Sequence, residues 1–98
     1  MPRIIVSPAA ADSLARLTAT HSLPPDVRGR FRRAIRPLAE FPLLGRPLEG
    51  SGFDGLRFIL GPWRWMVIVY EHDAGADVVN VLAVEDARSS TAATNYRS

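Results

Sequence analysis

A chain of 98 residues with 47% hydrophobic and 22% charged side chains can build one globular core, but it is too short for a second. It has no cysteine, which excludes disulfides, a thiolate nucleophile and cysteine-based zinc sites, and all twelve cations are arginine, which excludes Schiff-base, P-loop and general-base lysines. The net charge of +2 is uneven: residues 1–46 carry eight arginines against three acidic residues and residues 47–98 four against seven, so the first half invites an acidic peptide or a nucleic acid.

Arg3-Ile4-Ile5-Val6 is short and β-branched and predicts a strand. Ser7-Pro8 follows as a helix start, because the hydroxyl can accept from first-turn N–H groups and Pro8 sits where its missing N–H costs nothing. Ala10, Leu14 and Leu17 give this helix one apolar face, and His21-Ser22-Leu23-Pro24-Pro25 stops it. A second helix is expected at once. Val27, Phe31, Ala34, Ile35 and Leu38 recur at helical spacing, with Arg28, Arg32, Arg33 and Arg36 on the opposite side. Pro37 should kink or end it by removing a backbone hydrogen bond and crowding the Arg33 carbonyl.

Residues 42–55 are rich in Gly and Pro and read as a loop. Leu56–Leu60, Trp63–Tyr70 and Val78–Glu85 then read as strands, with Gly61-Pro62 and Asp73–Asp77 as hairpin tips. Residues 89–98 read as a frayed tail or a short helix. The expectation for 1–98 is one α+β domain: an N-terminal strand, a two-helix hairpin, and a three-stranded antiparallel meander with the helices on one sheet face. The longest apolar run, Met66 to Tyr70, is too short to cross a bilayer, and the first residues lack the length of a signal peptide. A cytoplasmic protein without membrane contact, metal or cofactor is expected.

Strand parity divides the meander. If Gly61-Pro62 sets Leu60 opposite Trp63, one face holds Leu56, Phe58, Leu60, Trp63, Trp65, Val67 and Val69, all apolar and expected to lie beneath the helices. The other face holds Arg57, Ile59, Arg64, Met66, Ile68 and Tyr70 and is expected to be open. Arg57 and Arg64 would sit diagonally within reach of each other. They either hold a phosphate or carboxylate, or pair with Glu85, Asp86 or Asp54 and solvate the sheet. His21, at a helix end, and His72, in a hairpin loop, are expected to face solvent.

Several stretches in sequence carry a family resemblance. They are Ser7-Pro8-Ala9-Ala10-Ala11-Asp12-Ser13-Leu14, Phe41-Pro42-Leu43-Leu44-Gly45-Arg46-Pro47-Leu48, Gly55-Leu56-Arg57-Phe58-Ile59, and Trp63-Arg64 running on to Tyr70-Glu71. Together, over nearly the whole chain to about Arg88, they resemble the RelE/ParE superfamily of toxins from type II toxin–antitoxin systems. The resemblance implies a cytoplasmic toxin, neutralised when the acidic amphipathic C-terminal segment of a cognate antitoxin wraps it. Arg28, Arg32 and Arg36 on the second helix, and Arg57, Ile59, Arg64, Met66, Ile68 and Tyr70 on the open sheet face, would receive that segment.

The resemblance leaves two targets. RelE-like members cut mRNA in the ribosome, and by position Arg57, Arg64 and Arg88 would bind phosphate with Glu85 as the available base. Such members usually place His or Tyr after the last strand, whereas Val84-Glu85-Asp86-Ala87-Arg88-Ser89-Ser90-Thr91 has neither, and Tyr96 lies too far along the tail. The ParE-like branch, which poisons DNA gyrase and needs no catalytic residue, is therefore favoured. A ribosome-dependent nuclease and an inactive member acting as a binding module are the alternatives.

Overall fold

The computed structural model describes residues 1–88, and Ser7 builds its first corner. Strand β1 (Arg3–Val6) hands over to helix α1 (Pro8–Thr20) through this residue. The Ser7 hydroxyl accepts from the Ala10 N–H at 3.0 Å and donates to the Leu82 carbonyl at 3.2 Å, so one side chain caps the helix and ties it to the sheet. Helix α2 (Val27–Ile35) ends where Pro37 demands it, and one 3-10 turn (Arg36–Ala39) follows.

Residues 42–55 are mostly loop, but the loop contains a two-residue strand, β2 (Arg46–Pro47). Strands β3 (Leu56–Leu60), β4 (Met66–Asp73) and β5 (Val78–Asp86) form the expected antiparallel meander. The sheet order is β1-β5-β4-β3-β2, with β1 parallel to β5 and the helices carrying the chain from β1 at one edge to β2 at the other. No helix among the described residues is long and apolar enough to cross a membrane.

The face assignment reverses. Leu60 pairs with Val67 rather than Trp63, a slide of four residues. Four is even, so the sorting of β3 and β4 residues into faces survives. The slide nonetheless moves Trp63, Arg64 and Trp65 out of the strand and into the turn. With Arg64 gone, the face carrying Ile59, Met66, Ile68 and Tyr70 is almost wholly apolar, and the helices cover it. Met66, Ile68 and Tyr70 are completely buried there with Leu14, Phe31, Ile35 and Leu38. A bulge in β5 extends this face: Ala83 pairs with Val69 and Val81 with Tyr70, so Leu82 is extra and Val79, Val81 and Val84 all point into the core. The outer face keeps Leu56, Phe58, Leu60, Val67 and Val69 beside the polar pair Asn80 and Glu71, whose side chains meet at 3.3 Å.

His72 departs from expectation too. It lies within β4 opposite Val79, and its Nε2 is buried without a hydrogen-bond partner among the described residues.

Candidate functional site

Helix α1 lies along β5, and α2 packs into the same core through Val27, Phe31 and Ile35, with a gap left open between the two helices. The spacing of small residues explains the gap. Ala11 and Ala15 fall one turn apart on the α1 side, too short to reach across, and leave an open groove of about 410 Å³. Leu14, Val27, Phe31 and Ile35 line it with Val6, and Thr18, Arg28 and Arg32 add polar groups. Both arginines are exposed, as is Arg36 in the 3-10 turn, and none of the three has a carboxylate partner among the described residues. The groove is thus an apolar channel with unpaired guanidiniums along one side.

Arg57 and Arg64 do not come together. Arg57 sits opposite Tyr70, whereas Arg64 is exposed in the β3–β4 turn. The Arg57 Nη1 donates to the carbonyls of Gly45 at 2.8 Å and Leu43 at 3.4 Å. Beneath it the Tyr70 hydroxyl donates to the Pro42 carbonyl and accepts from the Gly45 N–H, both at 2.8 Å. Burial pushes the Tyr70 hydroxyl up, only partly opposed by the Gly45 N–H and the Arg57 charge, so it stays a neutral donor. Tyr70 and Arg57 are therefore clamps on the 42–45 loop. Met66, Ile68 and Tyr70, expected on an open face, are fully buried core residues beneath the helices; Ile59 is half-buried against them.

The far end of the sheet holds a cluster that strand parity and motif spacing did not foresee. His21, expected in solvent, leaves only 22% of its side chain exposed; its ring stacks on Trp65 at 4.1 Å, and its Nε2 lies 3.0 Å from Asp86 Oδ2. Asp86 Oδ1 accepts from the backbone N–H of Arg88 at 2.9 Å and from its Nε at 3.3 Å. The Arg88 guanidinium lies 5.3 Å from the Trp65 centroid and 3.5 Å from His21 Nδ1. Trp63 packs on Trp65 at 6.3 Å with Arg30 over it, and Arg30 pairs with Asp26 at 2.9 Å. Both ring nitrogens of His21 therefore face a partner, Nε2 the Asp86 carboxylate and Nδ1 the Arg88 guanidinium. Glu85 points to the outer face opposite Val67, away from His21. The clue to this cluster was compositional: a histidine ending a helix and two tryptophans flanking a turn are rings that seek partners, but their sequence distance hides the partner.

Partial burial pushes the Asp86 carboxyl up, but hydrogen bonds from Arg88 and the charges of Arg88 and His21 outweigh it and hold the group below its ordinary value of 3.8. A depressed folded value means the stability Asp86 contributes is present above that ordinary value and lost as pH falls through the folded one. Asp86→Asn should therefore lower the melting temperature near neutral pH, with the deficit vanishing in strong acid. A deficit independent of pH in thermal melts would remove the carboxylate from this account.

A family model described as the ParE toxin of type II toxin–antitoxin systems (parDE) matches residues 4–90. No curated protein matches the chain. Among solved structures, it is similar to a chain of the chromosomal ParDE system of P. aeruginosa, with a TM-score of 0.68 and 14% identity over 88% of this chain and 96% of that one. It is also similar to a chain of a RelBE complex from Mycobacterium tuberculosis, with a TM-score of 0.63, 22% identity, and coverage of 88% and 99%. A third likeness is to the intact RelBE complex of E. coli, with a TM-score of 0.62, 18% identity, and coverage of 91% and 100%. At these identities the likenesses establish the shared fold.

Proposed function

The chain belongs to the ParE toxin family of type II toxin–antitoxin systems, and from that premise we propose that an antitoxin segment lying in the α1–α2 groove holds it inactive and that the freed toxin poisons DNA gyrase. The groove carries the first half of the reading. An amphipathic antitoxin helix would lay its apolar side on Leu14, Val27, Phe31 and Ile35 and set carboxylates against Arg28 and Arg32, with Arg36 one turn further on. Such a segment folds as it binds, and the charge match guides its approach. Solved neighbours of this fold are toxin–antitoxin complexes, which supports a cognate antitoxin as the partner. Both encounters would take place in the cytoplasm.

The second half rests on what the sheet end offers. A ribose-directed nuclease needs a group free to take or give a proton beside a phosphate. Among the described residues, Arg57 aims one guanidinium nitrogen at two loop carbonyls, and His21 has both ring nitrogens facing partners. A gyrase poison needs no such group. The grouping of His21, Asp86 and Arg88 is also what favours the second reading, a ribosome-dependent mRNA endonuclease, if substrate were to displace Arg88.

His21→Ala separates the two. Under the gyrase reading the variant arrests growth as the parent does, and ribosome-bound mRNA stays intact in cells expressing either. Codon-periodic mRNA cuts that vanish with His21→Ala would establish the nuclease.

A further inference from the structure

Four large apolar side chains stand open in one region of the molecule. Phe41, Leu43 and Leu44 are 59%, 63% and 56% exposed, and Leu60 is 56% exposed. Strand β2 pairs with β3 with Arg46 opposite Phe58, so Leu44, just before β2, and Leu60, at the end of β3, lie toward the same end of this strand pair. Scattered exposed leucines need no explanation, but a group of them on one loop and its neighbouring strand does.

The loop is also held still. Tyr70 and Arg57 together make four hydrogen bonds to the backbone of residues 42–45. Gly45 fits against the sheet so closely that a Cβ there would come within 2.5 Å of the Phe58 carbonyl and 2.8 Å of the Tyr70 hydroxyl. The apolar side chains are thus presented in a fixed arrangement, which lowers the entropy cost of seating them in a partner. Strand β2 is only two residues long and contains Pro47, so this sheet edge is poorly suited to adding a strand, and contact would run through side chains. Arg46 and Arg64 are exposed near the patch on its strand side without carboxylate partners among the described residues, and Glu40 precedes it on the helix side. Val6, which lines the antitoxin groove, lies on β1 at the opposite edge of the sheet.

We infer that Phe41, Leu43, Leu44 and Leu60 form the surface by which the free toxin grips its protein target, entering an apolar pocket bordered by carboxylates that meet Arg46 and Arg64. This rests on the reading above that the target is a protein, DNA gyrase. The triple substitution Leu43→Ser, Leu44→Ser and Leu60→Ser tests it, because all three side chains are exposed and their loss leaves the core whole. Three quantities are compared with the parent toxin: inhibition of supercoiling by purified gyrase, affinity for the antitoxin's C-terminal segment, and oligomeric state by sedimentation. The inference predicts that the folded variant needs roughly a hundredfold more protein to inhibit gyrase, while its antitoxin affinity stays within about twofold. Undiminished inhibition by the variant overturns the inference and leaves the gyrase reading standing. A matching loss of antitoxin affinity gives the patch to the antitoxin, and a parent dimer that the variant dissolves gives it to a second copy; either overturns the inference. If the parent leaves gyrase untouched, the target reading fails and the inference falls with it.

Discussion

Reversing Arg28 and Arg32 together to glutamate is expected to weaken binding of the antitoxin's C-terminal segment about a hundredfold, while the free toxin keeps its fold. Both guanidiniums are exposed and unpaired among the described residues, so no internal ion pair is lost with them. In the complex the reversed charges would face the segment's own carboxylates. Like charges brought together at an interface cost several kcal/mol, and about 2.8 kcal/mol is already a hundredfold in affinity. Because the arginines border the groove rather than form its apolar floor, the deficit should shrink as salt is raised. Titration calorimetry at two ionic strengths reads both effects. Unchanged affinity at low salt would take the segment out of this groove.

A comparable effect on stability is expected from a single methyl group. Gly45→Ala places a Cβ against the Phe58 carbonyl and the Tyr70 ring and hydroxyl. The carbonyl belongs to a paired strand and the ring is fully buried, so neither can step aside cheaply. Overpacking of this kind costs about 1–3 kcal/mol, and forcing the loop away also strains the hydrogen bonds from Tyr70 and Arg57. A fall in melting temperature of roughly 10–20 °C follows for a domain of this size. A melt within a few degrees of the parent would mean that the loop moves freely off the sheet. The target-binding patch, which needs that loop fixed, would then lose its basis.

Much of this architecture can be read from local chemistry. Ser7-Pro8 marks its corner because capping is a property of adjacent residues. Pro37 ends α2 for the same reason, and alternation in Leu56–Leu60 sorts side chains without reference to anything distant. What fails is what depends on length or on distant partners. The hairpin slides by four because Trp63 and Trp65 prefer a turn where His21, Arg30 and Arg88 meet them, and none of those residues is near in sequence. Counting Arg64 into a strand makes the core face look half polar and open, whereas the helices cover it. Helical periodicity alone sets Arg28 and Arg32 on the open side of α2, and Arg36 is exposed in the 3-10 turn beyond it. The groove beside them was not legible. It exists because Ala11 and Ala15 are too small to close the gap between two helices, and that depends on how far apart the sheet holds them.

The function proposed for this toxin meets its most direct test with purified components. Toxin freed from its antitoxin is added to DNA gyrase, ATP and relaxed plasmid, and supercoiling is followed on gels with and without the antitoxin's C-terminal segment. The account predicts that supercoiling stops, that cleaved DNA is trapped on the enzyme, and that stoichiometric antitoxin segment restores activity. Full supercoiling at every toxin concentration would contradict it.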